Sequence, residues 1–391
     1  MHGIQLSRLF VIAHLLTILR LHKVHIFPLW SRSGTRELGG CLLFFFLLSP
    51  SFAQKTETDG PYVIKTDSNE VAYEVKVTVS KEERDLAYSR QIPLKVHTDQ
   101  EGRSFTVSMK PELSMEPSVY RDNRSIVAIS DIEGNFQEFR ELLQAAGVID
   151  RYLIWDFGDG HLVLTGDFFD RGTMVTECLW LIYKLEEEAK KSGGRVHFIL
   201  GNHETMNLQG DTRYVNAKYQ LTANTLDVPL SELYSKNNEL GRWLRTKNIM
   251  VKIGDHLFVH AGISQKINNL NLSIVQINTL ARPVLDLYQK HENDTLQTIM
   301  WSVGPLWYRG YYGKESIPEV IDRTLEQYEV SRIITGHTVV ADSISTWYNG
   351  KVINIDTRHS EGFSEALLIE NGNYYAIDKT GRKRNLFDED Q

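Results

Sequence analysis

Five short apolar runs constrain this chain more than any other feature, because each breaks off into a polar block. IVAIS at 126–130 runs into Asp131-Ile132-Glu133-Gly134-Asn135, and HLVLTGD at 161–167 runs into Phe168-Phe169-Asp170-Arg171-Gly172. VHFILGN at 196–202 leads to His203-Glu204, HLFVHAG at 256–262 stops at His260-Ala261-Gly262, and RIITGH at 332–337 stops at His337-Thr338. Short β-branched runs bounded by turn residues read as buried strands. Helical patterns lie between them: FQEFRELLQAAGV at 136–148, ending at a Gly, and a longer one at about 174–191. Within the second, Glu186, Glu187 and Glu188 near Lys190 and Lys191 read as a solvated helix face. Strands alternating with helices predict an α/β fold. Ligands of open α/β folds bind beyond the carboxyl ends of the strands, so the five runs deliver Asp, Glu, Asp, Asn, His, His and His to one edge.

The chemistry of that edge follows from what the chain lacks. Only two cysteines occur, Cys41 and Cys178, which excludes a disulfide scaffold and a Cys-rich zinc site. Any metal is therefore held by His, Asp, Glu and Asn, a donor set suited to a pair of hard or borderline divalent cations. Cys178 lies in an apolar helical pattern, ECLWLIYKL, and reads as core. A net charge of −7 argues against broad electrostatic capture of a nucleic-acid backbone.

The blocks GDFFDRG, GNHE, HAG and GHT, in this order at strand ends, resemble the metallophosphoesterases of the phosphoprotein-phosphatase type, the calcineurin-like superfamily. GNHETMNLQGDTRYV at 201–215 and LWYRGYY at 306–312 resemble its Shewanella-like branch. The resemblance covers about 125–380 and implies an α/β fold of two mixed β-sheets packed as a sandwich and flanked by helices. It implies a dinuclear metal-dependent hydrolase of phosphate monoesters, phosphoprotein among them. Carried over residue by residue, Asp131 and Asp167 bind the first metal and Asp167 bridges to the second, which Asn202, His260 and His337 complete. A metal-bridging hydroxide attacks phosphorus, and His203, oriented by Asp170, protonates the leaving oxygen. Arg171 clamps the phosphate, with Asn202 beside it. Each role is physically sound. Paired cations lower the pKa of bound water, a carboxylate-held His is protonated near neutral pH, and Arg matches phosphate oxygens in a fork.

One position departs from the family pattern. Glu133 stands where the family has His in Asp-x-His-Gly. Three readings stand: Glu133 ligates the first metal, it holds a metal-bound water, or the first site is weak or empty. A glutamate makes the site less positive and more oxygen-rich, which favours Mn²⁺ as the cofactor pair, with Fe, Mg²⁺ or Zn²⁺ as alternatives. Arg309 and Arg213 are candidate phosphate contacts, with a surface salt bridge as the rival for each. Trp301, Trp307, Tyr308, Tyr311 and Tyr312 line a substrate groove or form a packed loop. Asp356 supports the site or closes a turn, and Glu204 fixes its loop.

The remaining segments read as follows. Residues 1–53 carry a basic region, the apolar run CLLFFFLL at 41–48 and small residues up to Ala53, the pattern of a secretory signal cleaved after Ala53, or else an uncleaved membrane anchor. The expected location is periplasmic or secreted, with no stable membrane span once the signal is removed. Residues 54–124 read as a β-rich extension, 125–380 as the catalytic domain and 381–391 as a polar tail. EALLIE and NYYAI form a hairpin around Asn371-Gly372. The expected partner is a phosphorylated substrate. Two rival functions remain. A nucleotide or dinucleotide phosphohydrolase is disfavoured because Gly336-His337-Thr338-Val339 lacks a second His. A non-catalytic binding module with an incomplete metal site is disfavoured by the intact Asp170, Arg171 and His203.

Overall fold

The computed structural model describes residues 57–65, 70–77, 82–86, 93–287 and 293–387. The segment 1–53, read as a signal or anchor, lies outside the described residues, as do the last residues of the tail, 388–391. Among the described residues no helix is long and apolar enough to cross a membrane.

Strands β1 (Glu57–Lys65), β2 (Glu70–Val77) and β3 (Glu82–Leu86) form an antiparallel sheet, and β4 (Leu94–His97) and β5 (Ser104–Val107) form a hairpin. The next strand, β6 (Val119–Tyr120), joins a larger sheet. That sheet and its partner are built from β7 (Ile126–Ile129), β8 (His161–Leu164), β9 (Arg195–Phe198), β10 (Met250–Ile253), β11 (His256–Val259), β12 (Arg332–Thr335), β13 (Ser345–Trp347), β14 (Val352–Asn354), β15 (Glu365–Glu370), β16 (Asn373–Asp378) and β17 (Lys383–Asn385). One sheet has the order β17-β16-β15-β7-β8-β9 and the other β13-β14-β12-β11-β10-β6. Both are mixed: β7, β8 and β9 run parallel while β15 is antiparallel to β7, and β11 is parallel to β12 but antiparallel to β10. β17 pairs with β16, so the sandwich continues past residue 380.

The five runs therefore do not share one sheet edge. The first three belong to one sheet and the last two to the other, and the site forms where the two sets of carboxyl ends meet. The period-2 pattern explains why. Ile126, Ala128 and Val163 face Phe258, Ile334 and Ile353 across the sandwich interior. Val127, Ile129, Leu162 and Leu164 point to the opposite face, where the helices lie. A strand buried on both faces shows no polar alternation, so its sequence does not say which sheet it joins.

Helices α1 (Phe136–Ala145), α2 (Val175–Lys191), α3 (Asn202–Leu208), α4 (Ala217–Leu226), α5 (Glu239–Leu244), α6 (Gln265–Leu270), α7 (Ile274–Ala281), α8 (Asp294–Met300) and α9 (Pro318–Tyr328) cover the outer faces and join the strands. In α2, Val175, Cys178, Leu179, Ile182, Leu185 and Ala189 recur at helical spacing and are all buried. Cys178 is a core thiol, as expected, and burial pushes its pKa well up. Lys190 and Lys191 sit in the last turn, where they complement the helix dipole. The solvated face expected at 186–188 needs correction: Glu186 is only 1 % exposed. Its carboxylate pairs with Lys247 Nζ at 2.5 Å and with Lys110, and it accepts Trp243 Nε1–H at 2.9 Å. Lys110 comes from the segment after β5 and Lys247 from the segment after α5, so no local pattern could reveal the network.

The amino-terminal strands pack on this frame. Trp180 Nε1–H donates to Pro61 O at 2.8 Å, and the buried Asp59 accepts from Tyr62 Oη at 2.9 Å and Thr222 Oγ1 at 2.6 Å. The β15–β16 hairpin turns at Asn371 (φ 52°) and Gly372 (φ 76°), as two-residue hairpin loops of this kind require.

Candidate metal centre and phosphate site

The loops after β7 and β8 are knitted together by backbone bonds. Asp131 N–H donates to Gly166 O at 3.0 Å, Glu133 N–H to Asp167 O at 2.9 Å and Gly134 N–H to Phe168 O at 2.9 Å. Six non-glycine residues at the strand ends adopt left-handed backbone: Asp131 (φ 53°), Glu133 (50°), Asp167 (56°), Asp170 (71°), Arg171 (55°) and His337 (66°). Each such residue costs about 1–3 kcal/mol, and this strain is concentrated at the site. Glu204 offsets part of it. Its buried carboxylate accepts the N–H groups of Gly201 (2.7 Å), Asp167 (2.8 Å), Phe168 (2.8 Å) and Phe169 (3.3 Å), which fixes the loop.

Asp167, His260 and His337 present donor atoms that all lie within 4.8 Å of one another. The hydrogen bonds settle which nitrogens face inward. His260 Nδ1 lies 2.7 Å from Thr165 O and His337 Nε2 lies 3.2 Å from Trp307 O. A carbonyl only accepts, so each of those nitrogens carries a proton, and in the neutral imidazole the opposite nitrogen bears the lone pair. The two lone-pair nitrogens, His260 Nε2 and His337 Nδ1, are 3.1 Å apart. Asn202 Oδ1 lies 3.0 Å and Asp167 Oδ2 3.2 Å from His260 Nε2. Four electron-rich atoms thus converge, an arrangement that requires a positive charge among them. Without a metal, that charge is a proton on His260 itself. Burial opposes charge on His260, but Asp167 and Asp131 push it up to about 10. Burial and the neighbouring His260 push His337 down to about 2. Burial acts to raise Asp167, but His260 and His203 outweigh it and hold the group below the ordinary carboxylate range. A divalent cation fits this set of two imidazole nitrogens and two oxygens.

Asp131 lies near Asp167, and its Oδ2 accepts His337 N–H at 3.0 Å and the Ser130 hydroxyl. Burial, reinforced by Asp167, raises Asp131 to about 6. Glu133, placed by sequence at the first metal, forms an ion pair with Arg171, placed by sequence at the phosphate. The Arg171 side chain is half exposed, while its backbone is pinned: N–H to Tyr214 O at 3.0 Å, and O from Asn216 Nδ2 at 2.9 Å.

His203 opens α3. Its Nδ1 lies 2.5 Å from Asp170 Oδ2, and its backbone N–H donates to Asp167 Oδ1 at 3.0 Å. Burial lowers the His203 pKa, but Asp167 and Asp170 outweigh it and hold the imidazole above its ordinary value. Sequence reasoning missed Asn207. Its Nδ2 donates to Asp170 Oδ1 and to His203 O, both at 2.9 Å. The signal was there: Asn207 is four residues beyond His203 on one helix, hence on the same face.

The remaining candidates are placed as follows. Arg309 donates to His337 O at 2.6 Å and Thr338 Oγ1 at 3.2 Å. Arg213 forks onto Asp211, with Nε to Oδ1 at 2.9 Å. Asp356 is buried behind Asp131, and its N–H donates to Asn354 Oδ1 at 3.0 Å. Tyr311 is a packed loop residue, its Oη accepting Ile263 N–H at 2.9 Å. Trp301 and Trp307 line a small cavity of about 50 Å³ with Met206, Arg213 and Leu287.

Residues 124–341 match the Calcineurin-like phosphoesterase family. The chain is a calcineurin-like phosphoesterase. Its expected two-sheet sandwich with flanking helices is the fold observed. A solved cold-active protein-tyrosine phosphatase of a psychrophilic Shewanella species superposes on this phosphoesterase with a TM-score of 0.77. The two share 34% identity, over 85% of this chain and 100% of that one. An uncharacterized protein of Schizosaccharomyces pombe is 32% identical over 59% of this chain and 72% of its own length. Shewanella-like protein phosphatase 1 of Plasmodium berghei is 28% identical over 60% of this chain and 67% of its own. The resemblance to the Shewanella-like branch holds, and membership of the metallophosphoesterases implies divalent metal ions.

Proposed function

We propose that this phosphoesterase is a protein phosphatase that hydrolyses phosphate monoesters with two divalent cations, Mn²⁺ favoured. The observation that carries the reading is the convergence of Asp167, Asn202, His260 and His337 beside the His203–Asp170 pair. The four converging residues would hold one cation, and Asp131 and Asp167 would hold the other. When bound, the cations supply Lewis-acid charge for the phosphoryl oxygens and lower the pKa of water.

The chain's own residues do the rest. Arg171 orients the phosphate through its guanidinium fork, exchanging the Glu133 carboxylate for phosphate oxygens. Asp170 accepts Nδ1–H and, with Asp167, stabilises the His203 imidazolium, which leaves the proton on Nε2 to be donated. That proton passes to the ester oxygen as water adds to phosphorus and the bond from phosphorus to that oxygen breaks. Asn207 keeps Asp170 aimed at the imidazole. The likeness to the Shewanella protein-tyrosine phosphatase and the Plasmodium protein phosphatase supports a phosphoprotein substrate, phosphotyrosine included. Export through the amino-terminal segment belongs to the same reading.

Phosphate release in Mn²⁺ from a phosphopeptide panel, compared with nucleotides and dinucleotides, tests it. Turnover of peptides over nucleotides is expected; turnover of dinucleotides alone overturns the protein-phosphatase assignment.

A further inference from the structure

Tyr214 is unusual for a residue so close to a buried acid. Its side chain is 47% exposed, yet its ring centroid lies 5.3 Å from the His203 imidazole, tilted by 47°. Exposed aromatic residues scattered singly are ordinary. This one is held in place. The Tyr214 carbonyl accepts the Arg171 N–H at 3.0 Å, and two residues on Asn216 Nδ2 binds the Arg171 carbonyl at 2.9 Å. The main chain that carries the ring is therefore tied at two points to the residue placed at the phosphate. On the preceding residue, Arg213 is held by Asp211 at 2.9 Å and sets its guanidinium 5.9 Å from the Tyr214 ring.

The position of the ring follows from the role of its neighbour. A general acid must lie next to the oxygen it protonates. The ring lying against the imidazole is that of the half-exposed Tyr214, so a substituent on that oxygen that extends along the imidazole reaches it. We infer that Tyr214 is a specificity-determining residue, the platform against which an aromatic leaving group packs, so that this site favours aryl over alkyl phosphate monoesters. An aryl ring joined to the ester oxygen offers a π-face and apolar area to the tyrosine. The single methylene of a serine ester offers neither. Aromatic pairs prefer offset or edge geometries with centroids in the range of about 4.5–7 Å, and an exposed ring leaves that space open. The inference rests on the phosphatase reading and on His203 as the acid.

The test uses two peptides of one sequence, bearing phosphotyrosine or phosphoserine, assayed in Mn²⁺ with wild type, Tyr214→Ala and Tyr214→Phe. The ratio of kcat/KM for phosphotyrosine over phosphoserine should fall about tenfold in Tyr214→Ala, mainly through KM, and be retained in Tyr214→Phe. Circular dichroism and thermal melting establish that the variants fold. A ratio unchanged in Tyr214→Ala, or lost equally in Tyr214→Phe, overturns the platform while leaving the phosphatase reading in place. Wild type releasing phosphate from neither peptide overturns both.

Discussion

His260 Nε2 and His337 Nδ1 face each other across 3.1 Å with lone pairs inward, because the carbonyls of Thr165 and Trp307 hold the protons on the opposite nitrogens. Two bare imidazole nitrogens at that separation repel unless a proton or a metal cation lies between them. Wild type should therefore gain stability with Mn²⁺, by about 2.7 kcal/mol at a hundredfold excess over Kd. His260→Ala should lose most of this gain. Thermal melts with and without metal, alongside metal content by elemental analysis, check both statements.

The 2.5 Å contact of His203 with Asp170 sets a pH dependence. Burial acts against charging His203, but Asp167 and Asp170 prevail and raise its pKa. As the proposed acid, His203 must be protonated to act, so its raised pKa should extend activity toward alkaline pH. In Asp170→Asn the pKa should fall and the alkaline limb of the kcat profile should move to lower pH. His203→Asn should lower kcat by about 10²–10⁴ on a phosphoserine peptide and by less on p-nitrophenyl phosphate, whose leaving group needs little protonation.

The Glu133–Arg171 ion pair separates two roles for Glu133. If its carboxylate chiefly occupies the clamp, Glu133→Gln should strengthen inhibition by inorganic phosphate without changing metal content. If it chiefly ligates, Glu133→Gln should weaken metal binding, and Glu133→His should move the metal preference away from Mn²⁺. We expect the second outcome. Metal titration and phosphate inhibition constants measured on the same preparations decide it.

Gly336 sits where a Cβ would strike Ser130 Oγ and Asp131 Oδ2. Gly336→Ala should push Asp131 off its hydrogen bond with His337 N–H. We expect kcat/KM to fall by at least about a hundredfold, since small misplacements at such sites carry costs of that order. Activity and melting temperature measured together distinguish this local displacement from global loss of fold.

Glu186 stabilises the frame rather than the chemistry. Burial acts to raise its pKa, but Lys247 and Lys110 outweigh it and hold the group at about 2. A depressed carboxylate contributes stability above its unfolded pKa, near 4.3, and loses it as pH falls toward 2. Glu186→Ala leaves two buried ammonium groups without this partner. It should lower the unfolding free energy by about 3–5 kcal/mol in urea denaturation at pH 7.

The sequence by itself determined the strands, their terminal blocks and the residue types of the site. Short β-branched runs and the Asp, Asn, His and Arg positions are local properties, visible as spacing and composition. Even Asn207 was within reach through the four-residue helical repeat. The tertiary structure decided what depends on distance through space. Strands apolar on both faces carry no mark of their sheet, so only the fold divided the five runs between two sheets. Glu186 read as solvated because its two lysine partners lie 76 and 61 residues away in sequence. Likewise the tautomers of His260 and His337 are set by the carbonyls of Thr165 and Trp307. Every residue carries such a group, so no residue type announces which one will hold a metal ligand in place.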